Sequence, residues 1–270
     1  MHRARRWRFT ASGLLGGLAI TAAGCGGSTS ETAPATTTTA PSSTATTTSA
    51  PPTTTTTTVA PTTTTTTIPP EPARYRLVVK NTWSEETQPG GVPGNAHLSW
   101  LAGATHNDEV TLWSLGEPAS PGVTEMAETG RTNILLDEIA AAGGIDSTLS
   151  WQWWFCAAST SSDNCGETIL EFDIDPAYPY VTLASMIGPS PDWFVGVDGL
   201  ALLEDGRWRQ EVVVLLTPYD GGTRTEQDRF ALGGPQNDPP EPISVITDGS
   251  GQIVGPQPIG SFTFTLLMSG

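Results

Sequence analysis

Residues 26–70 decide where this chain can fold, because they hold 22 Thr and 7 Pro in 45 positions and almost no large apolar side chain. Such a stretch buries too little surface to offset its ordering entropy, so it is expected to stay extended and solvated. Its Thr/Pro bias is that of an O-glycosylatable stalk. At about 3.1 Å per residue it would hold a domain up to roughly 140 Å from its start when fully extended, or roughly 40 Å away as a flexible coil. The aromatic, strand-like segments all follow it, and residues 73–270 are long enough for one well-cored domain. The chain thus divides into a leader (1–24), a linker (25–72) and one folded domain (73–270).

The leader begins MHRARRWRF, with Arg3, Arg5, Arg6 and Arg8, and runs at once into the apolar ASGLLGGLAITAAGC. A basic start followed by a short apolar run is a bacterial-style export signal, and the run is too short for a bilayer span, which takes roughly 20 apolar residues. It ends in Ala22-Ala23-Gly24-Cys25, which resembles a lipobox with Ala22 where Leu is usual. In such signals the cysteine is lipidated and becomes the new N-terminus, so Cys25 would tether the mature chain to the cell membrane on its extracytoplasmic side. An ordinary cleaved signal with an unrelated cysteine is the alternative reading. The formal net charge of −16 includes the four leader arginines and falls to −20 without them. A surface that acidic repels nucleic acid and anionic lipid and favours cations or basic partners.

The folded part reads as β-rich. Residues 75–81, 111–115, 151–155, 169–174, 180–187, 207–216 and 261–268 are short runs of β-branched and aromatic residues bounded by Gly, Pro, Asn and Asp, the pattern of an antiparallel sandwich or barrel. One segment is helical: Ser120-Pro121 supplies an N-cap and first helical residue. Val123, Met126, Ala127, Ile134, Leu135 and Ile139 then fall near helical spacing before Gly143-Gly144, with Gly130 placed to split the segment in two. Cys156 and Cys165 flank the polar turn AASTSSDN and are expected to staple a hairpin as a disulfide; free thiols or a metal pair are the weaker readings, with no His or Cys pair at zinc spacing beside them.

Two acids stand out. Asp192 lies between Pro191 and Trp193 in MIGPSPDWFVGVDG, where a proline pair ends strand pairing and places the acid in a loop before a new strand. Asp220 sits in the Gly-rich turn TPYDGGTR. If the intervening strands form a meander, both acids reach one end of the sandwich and offer hard oxygens suited to calcium. The alternative is two turn aspartates that bond their own backbone.

GPSPDWFVGV, followed by a Trp-containing strand and LLTPYDGGT, together with NTWSEETQP, AHLSWLAGATHN and LWSLGEPASPGVTEMAETG, resembles the spondin N-terminal domain of the F-spondin and mindin type. The resemblance covers nearly the whole folded part. It implies an all-β, eight-stranded, C2-like antiparallel sandwich with one or two short helices, a bound calcium ion, and a role in adhesion rather than catalysis. Asp192 matches the acid of the family's Pro-Ser-Pro-Asp-Trp motif, and Asp220 matches the first acid of its Asp-Ala-Gly-Thr-Asp turn. The last acid of that turn falls on Arg224, a guanidinium in place of a carboxylate. Two outcomes are open: Arg224 folds inward and pairs with Asp192 and Asp220 in place of the ion, or it points to solvent and Glu226 or Asp228 supplies a third ligand at a weaker site.

Other candidates carry less. His97 and His106 lie near Asp108 and Glu109, but no HExxH, GxSxG or other nucleophile arrangement accompanies them. Glu171, Asp173 and Asp175 alternate with Phe172 and Ile174, as on a solvated outer strand face. Trp151, Trp153 and Trp154 read as core and rim, although Trp153 breaks the alternation in a way that fits a sugar-binding surface. The expected function is a membrane-anchored, extracytoplasmic adhesion or ligand-binding module that meets an extracellular protein or envelope ligand and is not an enzyme. A cell-envelope carbohydrate-binding protein or hydrolase is the competing class.

Overall fold

Ala73, Tyr75, Leu77 and Val79 are buried, while Arg74, Arg76, Val78 and Lys80 between them are not. A period of two with one apolar face is what a strand needs to lie between a core and water. The computed structural model describes residues 70–86, 88, 91–157, 168–225, 230–247 and 255–269. In chain order the elements are β1 (Ala73–Asn81), β2 (His97–His106), α1 (Pro121–Thr129), α2 (Asn133–Ala141), β3 (Ile145–Trp151), β4 (Phe155–Cys156) and β5 (Thr168–Ile174). They continue as β6 (Tyr180–Gly188), β7 (Trp193–Ala201), β8 (Leu203–Glu204), β9 (Arg207–Trp208), β10 (Glu211–Leu215), β11 (Tyr219–Asp220), β12 (Ser244–Val245) and β13 (Gly260–Ser269).

Eight of these strands have five residues or more, and they divide four and four between two antiparallel sheets. One sheet runs β10-β13-β1-β5; the other runs β12-β11-β7-β6-β2-β3, with β4 alongside β2. The fold is the expected all-β sandwich. Tyr75, Leu77, Phe262, Phe264 and Phe172 of the first sheet interleave with Leu98, Leu101, Leu183, Trp193 and Val195 of the second in one apolar core.

The second sheet is covered on its other face too. Ala102, Ala104, Ala184, Met186 and Phe194 point away from the sandwich core and meet Val123, Met126, Ala127, Leu135 and Ile139 of the two helices. This is why β6 is buried from Val181 to Gly188 without alternation. Ser120 caps α1 by accepting from the Val123 amide at 3.1 Å. Glu138 of α2 reaches the same helix start, accepting from the Ser120 hydroxyl at 2.7 Å and the Gly122 amide at 2.8 Å. The helical segment is split at Gly130, the C-cap of α1, as its sequence suggests. Ile134 departs from expectation: it is exposed, and the apolar stripe of α2 rests on Leu135 and Ile139.

Three strand expectations need correction. Residues 111–115 form no strand, because Leu112 and Trp113 are neighbours that both pack into the helix-side core, which strand alternation forbids. Residues 151–155 are interrupted: Trp151 ends β3, Phe155 begins β4, and 152–154 lie outside both. Residues 207–216 are two strands. Arg207–Trp208 closes a hairpin with Leu203–Glu204 around Asp205-Gly206, whose φ angles of 51° and 72° suit a tight two-residue turn. After Arg209 the chain crosses to the first sheet, where the Tyr75 hydroxyl donates to the Arg209 carbonyl at 2.5 Å. Burial pushes that phenol up to about 12, against the opposing effect of the Arg209 charge.

Candidate functional site

The turn before β7 is held by Ser190, whose hydroxyl oxygen accepts from the Trp193 amide at 3.0 Å. With the prolines barred from strand pairing, this directs Asp192 inward, where its exposure is 0%. Asp192 Oδ2 accepts from the Thr223 amide at 2.7 Å, the Arg224 amide at 2.8 Å and the Thr223 hydroxyl at 3.0 Å. Its carbonyl accepts from the Gly221 amide at 3.0 Å. One carboxylate therefore organises the whole turn that follows β11.

The acids do come together, but by another route than a meander. β10 joins the opposite sheet, and β11 returns to pair with β7 so that Asp220 lies opposite Trp193. Asp220 Oδ1 accepts from the Gly222 amide at 2.7 Å, and Gly222 takes a φ of 70°. A Cβ at Gly222 would come within 2.1 Å of the Glu241 carbonyl, so the turn closes only around glycine.

Arg224 turns inward, yet its guanidinium pairs with neither aspartate side chain. Nη2 meets Glu128 Oε2 at 2.5 Å, and Nη1 donates to the Gly234 carbonyl at 2.9 Å. Glu128 Oε1 lies 2.8 Å from the Thr223 hydroxyl, which thus shares its single proton between Glu128 and Asp192. Burial pushes the Asp192 carboxyl up; the bonds from Arg224 and Thr223 oppose that rise, and the Glu128 charge adds to it. The hydrogen bond to Glu128 holds the Arg224 guanidinium above its ordinary range.

Glu128 has no signal in the apolar periodicity of the helix. It lies in the MAETG end of α1, 64 residues before Asp192, and only the packing of α1 on β6 and β7 brings the two together. Glu226, Asp228, Cys25 and Cys165 lie outside the described residues. Cys156 is disulfide-bonded. His97 and His106 stand at opposite ends of β2, roughly 30 Å apart at strand rise, and so share no site. His106 donates from Nδ1 to the Asn107 carbonyl at 2.7 Å and accepts at Nε2 from the Thr182 hydroxyl at 2.8 Å, a satisfied structural ring. Glu171 and Asp173 pair with Arg74 and Arg76 across the outer face of the first sheet.

Calcium takes six to eight oxygens, several from carboxylates. Asp192 Oδ1 is buried with no hydrogen-bond partner among the described residues, which is one donor an ion would use. The other oxygens are committed: Asp192 Oδ2 to three donors, one Asp220 oxygen to its own turn, and both Glu128 oxygens to Thr223 and Arg224. Among the described residues no group of three or more His, Cys, Asp or Glu is arranged to hold a metal. As arranged among the described residues the set does not fit calcium: Asp192 Oδ1 is unengaged, but the neighbouring Glu128 carboxylate is taken up by Arg224 and Thr223, and six to eight oxygens are needed.

The recess lined by this network's own residues is about 310 Å³, with Asp220, Gly222, Arg224, Asn237 and Glu241 among its walls. A groove of about 370 Å³ that shares none of these residues has Asn95, His97, Trp100, Arg131, Trp154 and Leu232 among its walls. Arg131 lies three residues beyond Glu128, Pro189 in the same groove precedes Asp192 by three, and Leu232 precedes Gly234 by two. Glu128, Asp192 and Arg224 do not themselves line the groove; they anchor chain segments that lie two or three residues from it in sequence.

Residues 73–252 match the Spondin_N family. The chain belongs to that family. This Spondin_N chain is 34% identical over 202 residues to Spondin-2 of Rattus norvegicus, an alignment covering 73% of this chain and 58% of that protein. It is 33% identical over 183 residues to Spondin-2 of Homo sapiens, covering 66% and 54% of the two chains. Against Spondin-1 of Xenopus laevis the identity is 35% over 159 residues, covering 56% of this chain and 19% of that one. The Spondin_N chain thus spans little more than half the length of the Spondin-2 relatives and about a fifth of the Spondin-1 relative.

Proposed function

We propose that this protein is a spondin-type adhesion or ligand-binding module, carried outside the cytoplasmic membrane on a lipidated Cys25 and a Thr/Pro stalk, and that it works without bound calcium. The observation that carries this reading is the use made of the acids. Asp192 and Glu128 point inward and serve to lock three loop segments, with Arg224 supplying the positive charge. A charge pair with ordered hydrogen bonds gives such a site one fixed geometry. A groove rimmed by Trp100, Arg131 and Trp154 takes in residues that lie close in sequence to the locked segments, and a concave surface with a few polar groups is what a binding module presents.

The experiment is retention of cell-envelope material by the full-length chain, immobilised through a tag, with calcium and then with a chelator. Retention that is equal in both conditions and lost in the Trp154→Ala variant supports the reading. Retention that disappears in chelator would restore the metal-dependent mode, and no retention in either condition would remove the adhesion role.

A further inference from the structure

We infer that the tryptophan surface between β3 and β4 is a binding site for an uncharged, pyranose-based saccharide. The inference rests on the proposed role of the groove and names its ligand class.

Trp153 and Trp154 follow one another in the chain and keep 49% and 52% of their surface exposed. With Trp100 and Gln152 they wall a recess of about 280 Å³, and Trp154 also borders the groove described above. The Trp154 plane is fixed from behind: its ring lies against the His97 imidazole at 4.6 Å between centroids and 24° between planes. His97 is in turn held by a 2.7 Å bond from Nδ1 to the Asn95 carbonyl. Gly188 leaves room for that ring, since a Cβ there would approach His97 Cε1 and Nε2 to 2.5 Å. The platform is therefore built in advance of any ligand, which lowers the ordering cost of binding.

Ligand class follows from the mix of groups. A pyranose ring has one flat face of C–H bonds, which covers an indole plane, and a rim of hydroxyls that both donate and accept. Gln152 at the first recess, and Asn95 and Arg131 at the second, offer amide and guanidinium partners for such a rim. A purely apolar ligand would leave those groups desolvated and unpaired, which is unfavourable. The charge of the chain, −16 overall, repels acidic polysaccharides and leaves uncharged ones. Two recesses meeting at Trp154 suit a chain of sugars rather than a single unit.

Isothermal titration of the full-length chain with cellohexaose and with chitohexaose tests this, with a hyaluronate oligomer as the acidic control. The expected result is binding of at least one neutral oligomer with Kd in about the millimolar range or tighter, weakened about tenfold or more by Trp154→Ala and also by Trp153→Ala. Unchanged melting temperatures in both variants would show that they still fold. Absence of binding by both neutral oligomers overturns the inference, as does binding that neither variant weakens. If envelope retention is lost in Trp154→Ala while neither oligomer competes for it, the saccharide assignment fails and the groove stands. If sedimentation instead shows self-association that Trp154→Ala abolishes, the occupant is a second copy and the saccharide assignment also fails. Retention indifferent to Trp154→Ala would remove the groove itself.

Discussion

Arg224 brings a positive charge among Glu128, Asp192 and Asp220, and its side chain is only 20% exposed. Truncating it leaves Glu128 partly buried without its counter-charge, a change that costs about 3 kcal/mol in such pairs. Arg224→Ala should therefore lower the melting temperature by roughly 6 to 12 °C in a domain of this size, measured by calorimetry. Arg224→Asp is the more informative change, because it removes the resident cation and adds a carboxylate beside three others. The wild-type transition should be the same in calcium and in chelator, whereas the Arg224→Asp transition should rise with calcium, by about 2.7 kcal/mol at a hundredfold excess over Kd. A calcium response in the wild type would show that Arg224 does not take the ion's place.

His97 gives a second test at the same scale. Burial lowers its pKa from 6.5, against the opposing bond to the Asn95 carbonyl. The unfolded chain then takes up a proton at a higher pH than the folded chain does. Its contribution to stability is full above about pH 6.5 and declines as the pH falls from there toward the lowered folded value. The wild-type melting temperature should fall between about pH 7 and pH 5 more steeply than that of His97→Gln, in which nothing titrates at this position. Parallel pH curves for the two proteins would show that the stacked ring carries no such linkage.

At the scale of elements, α1 and α2 are joined by the Ile134 amide donating to Glu125 and by Glu138, which satisfies both the Ser120 hydroxyl and the Gly122 amide. Losing a cap and orphaning a helix-start amide costs about 1 to 2 kcal/mol, so Glu138→Ala should lower the melting temperature by a few degrees. Because α1 also carries Glu128, the change should weaken envelope retention more than its small stability cost implies; retention unaffected by Glu138→Ala would show that α1 does not position the groove. The strands with clean alternation were legible in the sequence: 75–81, 169–174 and 261–268 all lie within observed strands, since each has one face on the core and one in water. The strand at His97–His106 was not read from the sequence, because residues buried on both faces leave no period to read. Asp192 and Asp220 could be placed in turns from the sequence alone, whereas Arg224 was singled out only through the family resemblance. Glu128 was not, because long-range packing and not local pattern puts it there.

At the scale of the whole molecule, the proposed function joins an expected export signal and a lipobox-like Cys25 to a Thr/Pro stretch and a domain with the groove proposed to bind. The two halves of that arrangement make separable demands. Lipidation at Cys25 would set where the chain resides, so Cys25→Ser should move it from the membrane fraction to the medium and abolish incorporation of a radiolabelled fatty acid. The groove would be untouched by that change, and binding of the secreted variant to envelope material should match wild type. If residues 26–70 serve as the proposed stalk, a flexible coil of that length would extend roughly 40 Å, comparable to the width of a domain of this size. Deleting residues 26–70 should therefore leave the affinity of purified chain unchanged while sharply reducing adhesion of cells that display it. A deletion that reduces both would mean that the stalk takes part in binding, and one that reduces neither would show that the ligand lies at the membrane surface itself.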